Sequence, residues 1–148
     1  MTERWPDLAG RIAGKTHILP IRVYYEDTDF SGAVYHANYL KFCERARSDW
    51  LRLLAIHHSE LQGTAGFVVR HMVFDFLKPA LIDDLLEVET RFGEFGGARL
   101  EVSQAVLRAN ERLFEAQITV VLVDRNGKPK RLPPEMTKTF LSLVESNN

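Results

Sequence analysis

The chain has 148 residues, a single cysteine and a formal net charge of −1, with 45% hydrophobic and 26% charged residues. That length makes one ordinary domain able to bury about two-thirds of its unfolded surface, and the composition excludes a disordered or membrane-embedded chain. Near-zero charge removes any general pull toward nucleic acid, and a lone Cys43 excludes an intramolecular disulfide, which predicts a reducing, cytoplasmic setting. The opening MTERWPDLAGRIAGKT has no apolar core after a basic end. It predicts neither a secretory signal nor an anchor, and no later apolar run is long enough to span a bilayer.

In chain order, residues 17–25 (HILPIRVYY) alternate isoleucine, valine and tyrosine and predict a strand, with Pro20 marking an irregular or edge start. From Asn38 the period changes: Tyr39, Cys43, Ala46, Trp50, Leu53 and Leu54 recur at helical spacing, predicting a helix to about Leu54. Residues 55–66 read as a loop or frayed helix, and His57-His58 has no partner at a metal-ligand spacing. Residues 67–77, 85–92, 98–108, 113–123 and 137–143 are rich in β-branched and aromatic residues and predict strands. Their connections are too short for crossover helices, so the pattern is α+β: a curved, mainly antiparallel sheet of about six strands wrapped around one long helix. Pairing of two chains would cover an exposed sheet edge.

The stretch EDTDFSGAVYHANYL, residues 26–40, admits three chemistries. Asp27, Asp29, Ser31 and Gly32 spell the first half of a calcium loop, but Asn38 stands where a bidentate glutamate belongs and no helix enters it. Asp27-Thr28-Asp29 after an apolar strand imitates a phosphoryl-transfer nucleophile. That chemistry needs a parallel sheet, which the later antiparallel pattern cannot build. In the third reading, the unpaired N–H groups of the following helix face a turn that carries two carboxylates. Such donors polarise a carbonyl while a carboxylate attacks it or activates water. A thioester suits this site, since a thiolate leaves without a strong general acid.

The runs Val23-Tyr24-Tyr25-Glu26-Asp27-Thr28-Asp29, Gly32 to Tyr35, His36-Ala37-Asn38-Tyr39 and Glu44-Arg45-Ala46-Arg47 closely resemble the Tol-Pal-associated acyl-CoA thioesterases, within the hydroxybenzoyl-CoA thioesterase group. The resemblance continues through Phe67-Val68-Val69-Arg70, Pro79-Ala80, Asp83-Asp84 and Leu132-Pro133. It implies a hotdog fold over residues 18–148 after an N-terminal extension of residues 1–17, assembled as homodimers paired into homotetramers. It also implies hydrolysis of acyl-CoA to a carboxylic acid and CoA with neither metal nor cofactor, acyl carrier protein being an alternative donor.

The resemblance places Asp29 as nucleophile or general base and the backbone N–H at or next to His36 as the oxyanion donor, helped by Tyr35. The His36 side chain stays open between proton carrier, substrate contact and packed ring. Asp27 reads as a brace for the turn, and Cys43, on the apolar helix face, as a buried inert thiol. Arg70, Arg99, Lys130 and Arg131 are candidate cations for the phosphates of CoA, each with a solvated-surface reading beside it. The loop Gly96-Gly97-Ala98-Arg99 lacks the basic cluster of the hydroxybenzoyl-specific relatives. Two rivals are a non-catalytic hotdog module that binds acyl-CoA or acyl carrier protein, and a hotdog dehydratase or hydratase, for which the chain shows no histidine–acid motif.

Overall fold

The computed structural model describes residues 9–54 and 65–144. The expected loop with His57-His58 lies outside the described residues, as does most of the opening segment. The elements are β1 (Arg11–Ala13), β2 (Thr16–Arg22), a 3-10 turn (Tyr25–Asp27), α1 (His36–Leu53), β3 (Ala65–Phe76), β4 (Leu85–Gly96), β5 (Arg99–Arg108), β6 (Glu111–Asp124) and α2 (Pro134–Val144).

All six strands form one antiparallel sheet in the order β1-β2-β4-β5-β6-β3. Alternation along the strands puts Leu86 and Val88 of β4, Leu100, Val102 and Val106 of β5, and Phe114, Ile118 and Leu122 of β6 in the core. Against them α1 buries Tyr39, Phe42, Cys43, Ala46, Trp50 and Leu51, an apolar stripe at helical spacing. A sheet curved around one central helix is the hotdog arrangement, as expected from the sequence.

Two expectations need correction. Residues 137–143, read as a strand for their β-branched and aromatic content, belong to helix α2. Pro134 begins the helix where its missing N–H costs nothing, and Met136 and Phe140, four residues apart, are its buried face. Phe140 packs edge-on against Phe92, with ring centroids 4.9 Å apart. The sixth strand comes instead from Arg11–Ala13, paired with Thr16–Ile18, so described residues before Ile18 join the sheet. Helix α1 also begins two residues before Asn38, at His36.

Strand β3 closes the sheet on one side with no strand beyond it among the described residues. Val68, Val69, Val73, Phe74 and Phe76 on it are exposed. No helix among the described residues is long and apolar enough to cross a membrane.

Candidate active site

The chain leaves β2 at Arg22, makes the 3-10 turn and enters α1 at His36. Asp27 sits buried at the centre of this passage. Its Oδ2 accepts the Tyr24 N–H at 2.9 Å, its Oδ1 accepts the Asn38 side-chain amide at 3.0 Å, and its carbonyl accepts the Tyr35 N–H at 2.9 Å. One residue thereby ties the turn to the helix start, as a bracing aspartate should.

Asp29, two residues on, is exposed. Its Oδ1 accepts the Ser31 hydroxyl and, at 2.8 Å, the Ser31 N–H. Gly32 closes the turn at φ 85°, a conformation that disfavours other residues, and donates its N–H to the Asp29 carbonyl at 3.1 Å. The Ser31 hydroxyl first, then the Ser31 N–H and the nearby His36, hold the Asp29 carboxyl below the usual carboxylate range despite slight desolvation. The group is an anion at neutral pH.

Tyr35, the N-cap of α1, makes no side-chain cap bond, and the first turn carries no acid. The His36 and Ala37 N–H groups therefore have no protein acceptor among the described residues. They lie at the positive end of an 18-residue helix. The exposed His36 ring packs between Tyr35, 4.3 Å between centroids, and Phe76 at the end of β3, 6.4 Å away. A carboxylate and unsatisfied N–H donors thus share one corner of the molecule.

The segment between β3 and β4 supports this corner from below. The Val34 N–H bonds the Ala80 carbonyl at 2.8 Å, and the Ile82 N–H bonds the Gly32 carbonyl at 3.1 Å. Tyr39 Oη accepts the Ala80 N–H at 2.9 Å. Asp84 accepts the Leu81 N–H and pairs with Arg108 at 2.7 Å, which also pairs with Glu111. Asn38, Tyr39 and Arg108 were not legible as site residues, because their partners Asp27, Ala80 and Asp84 lie 11, 41 and 24 positions away in the chain. Asp83-Asp84 carried a signal only through the family resemblance.

The structure brings Asp29, Tyr35 and His36 together but not the predicted cations. Arg70 is exposed at the bulge midway along β3. Arg99 opens β5 and pairs with Glu101 at 2.8 Å. Lys130 and Arg131 are exposed beside it, where the Lys130 N–H bonds the Leu122 carbonyl and the Leu132 N–H bonds the Gly97 carbonyl. This basic end lies a strand length, about 30 Å, from the Asp29 end of the same chain. Cys43 is fully buried, and burial pushes its thiol up to about 12. Among the described residues no group of three or more His, Cys, Asp and Glu side chains is placed to hold a metal ion.

The family model described as "Thioesterase superfamily" matches residues 31–115, more than half of the chain. The chain belongs to the thioesterase superfamily. Within that superfamily it is 42% identical over 127 residues to the acyl-CoA thioester hydrolase YbgC of Escherichia coli O6:H1, covering 82% of this chain and 92% of that one. It is also 42% identical to the acyl-CoA thioesterase YbgC of Haemophilus influenzae over 124 residues, covering 82% and 91%. Among solved structures, a probable thioesterase from Bartonella henselae superimposes with a TM-score of 0.77 at 43% identity, covering 80% of this chain and 99% of that one. A 1,4-dihydroxy-2-naphthoyl-CoA thioesterase from Synechocystis superimposes with a TM-score of 0.78 at 25% identity, covering 84% and 95%.

Proposed function

We propose that the chain is an acyl-CoA thioester hydrolase whose working groups are the Asp29 carboxylate and the His36 and Ala37 N–H groups. The observation that carries this reading is their common position: an ionised, exposed carboxylate beside uncapped helix donors. The relatives named as acyl-CoA thioesterases support the substrate class.

The thioester oxygen takes its place against the helix N–H groups, which stabilise the negative charge that develops on it. Asp29 either removes a proton from the attacking water or attacks the carbonyl carbon itself, to be released by water in a second step. In both routes the carbon–sulfur bond breaks, CoA leaves as the thiolate, and water supplies the oxygen of the carboxylic acid. The Ser31 bonds keep Asp29 in the form that either role needs.

The working unit in this reading is a homodimer formed by antiparallel pairing of two β3 edges. An unpaired 12-residue edge with exposed valines and phenylalanines supports it. Pairing centred on the bulge between Val69 and His71 sets Phe76 of one protomer opposite Ala65 of the other. The Asp29 corner then faces the other protomer's basic end, where Arg99, Lys130 and Arg131 are the proposed contacts for CoA phosphates; Arg70 lies near the pairing axis. By family resemblance such dimers pair into tetramers. The buried lone thiol suits the cytoplasmic location we assign.

Release of CoA thiol from a panel of aliphatic and aromatic acyl-CoAs, measured with chelator present, tests the reading. Wild type should turn over and Asp29→Asn should lose about a hundredfold or more in kcat while remaining folded at the assay temperature. Full activity in Asp29→Asn would overturn the mechanism, and binding without turnover by wild type would make the protein a non-catalytic module.

A further inference from the structure

Between α1 and the inner face of the sheet, at the Ala65 end of β3, lies a pocket of about 250 Å³. Leu51, Phe67, Phe92, Leu100 and Val102 make its walls apolar. Among its lining residues Arg47 is the one cation. Arg47 is half-buried, and its guanidinium donates at 2.8 Å to Gln104 Oε1. The Gln104 amide cannot turn away, because its Nε2 donates to the Cys43 carbonyl and to Thr90 Oγ1, both at 2.9 Å. Arg47 is thus held in place by a neutral group, and no carboxylate pairs with it among the described residues. Glu44, one turn earlier on the pocket rim, is exposed and outside ion-pair distance. Burial disfavours the guanidinium's charge and the Glu44 carboxylate on the rim offsets only part of that cost, so a buried cation with no ion-paired carboxylate suits an anionic ligand group.

Arg47 lies eleven residues, about 16 Å, along α1 from His36 of its own chain, too far for a six-carbon acyl group held at Asp29 of the same chain to reach it. The β3 pairing described above removes that distance by setting the Ala65 end against the Phe76 end of the other protomer. We propose that Arg47 of one protomer binds the terminal carboxylate of an ω-carboxyacyl group whose thioester is held at Asp29 of the other. The substrate class is then the CoA monothioesters of dicarboxylic acids. This inference rests on the thioesterase reading and on the β3 dimer. A plain aliphatic chain in the same pocket leaves the guanidinium desolvated and unpaired, and sites built to bond a polar group discriminate strongly against analogues that lack it.

The test compares adipyl-CoA with hexanoyl-CoA, which have acyl chains of equal length, as a ratio of kcat/KM within each protein preparation, so that any misfolded fraction cancels. Wild type should favour adipyl-CoA by about tenfold or more, Arg47→Met should bring the ratio near or below one, and Arg47→Lys, which keeps charge but not the fork, should fall between. Mixed dimers of Asp29→Asn and Arg47→Met protomers should regain the adipyl preference, because one of their two sites then holds both native residues. A wild-type ratio at or below one, or a ratio unmoved by Arg47→Met, overturns the inference while Asp29-dependent turnover leaves the thioesterase reading standing. Mixed dimers without the preference overturn the placement across the interface, and absence of turnover on every thioester overturns both readings.

Discussion

Asn38, in the first turn of α1, donates its side-chain amide to Asp27 at 3.0 Å, so the helix that offers the N–H donors is fastened to the turn that carries Asp29. Replacing Asn38 with Ala leaves a buried carboxylate oxygen short of one donor. The expected cost is about 1–3 kcal/mol of stability, read from chemical denaturation. The loss in kcat should exceed what that destabilisation explains at temperatures where the variant remains folded, because the distance between carboxylate and donors relaxes.

The pH profile tests the state of Asp29. Its carboxyl lies below the usual range, chiefly through the Ser31 hydroxyl, and the proposed mechanism requires the anion. Activity therefore persists as pH falls through the ordinary carboxylate range and is lost only below it. Ser31→Ala removes the main cause and should move the acid limb of kcat/KM to higher pH. By linkage, the stabilisation from this depressed value is present above the unfolded pKa and is lost as pH falls through the folded one.

Cys43 should be silent. With its thiol fully buried and pushed up to about 12, it should resist alkylation in the native protein and react at once in denaturant. Cys43→Ala should retain turnover, which also shows that thiol released in the assay comes from CoA.

If the proposed β3 dimer is the working unit, charge on the free edge should separate the protomers. Val69→Glu combined with Phe74→Glu alters two exposed residues of β3 and should convert the dimer to a monomer by light scattering. Turnover should fall with it, since in the proposed dimer the basic end that faces Asp29 belongs to the other chain.

A buried pair away from the site sets the acid stability. His17 is fully buried, with its Nε2 2.7 Å from Asp49 Oδ2. Burial pushes the His17 ring down, more than Asp49 pulls it up. A ring that stays neutral when folded but protonates when unfolded makes stability full above the unfolded pKa, about 6.5, and lower as pH falls toward the folded value. The melting temperature should drop between pH 7 and 5, and His17→Gln should flatten that dependence.

The local code was legible where one period dominated. The α1 stripe of Tyr39, Cys43, Ala46 and Trp50 is buried as its spacing requires, and four of the later β-rich runs became strands because turn residues separate them. Residues 137–143 misled because their composition favours strands while Met136 and Phe140 follow a four-residue period. That weak signal acquires meaning only when Phe92 and Phe95 offer Phe140 a surface. Likewise Arg11–Ala13 becomes a strand because β2 lends it a partner, not by its own propensity.

By itself the sequence determined the α+β class, the long core helix and the carboxylate turn before it, because periodicity, turn chemistry and helix ends act over a few residues. Only the tertiary structure decided that the bracing Asp27 takes Asn38 as a partner while Asp29 is exposed, that Tyr39 and Arg108 hold the loop beneath them, and that Arg99, Lys130 and Arg131 stand at the far end of the sheet. Those outcomes depend on which strands pair and which edge stays open. Strand pairing is settled by burying apolar faces across the whole chain, and no short stretch of sequence contains that information.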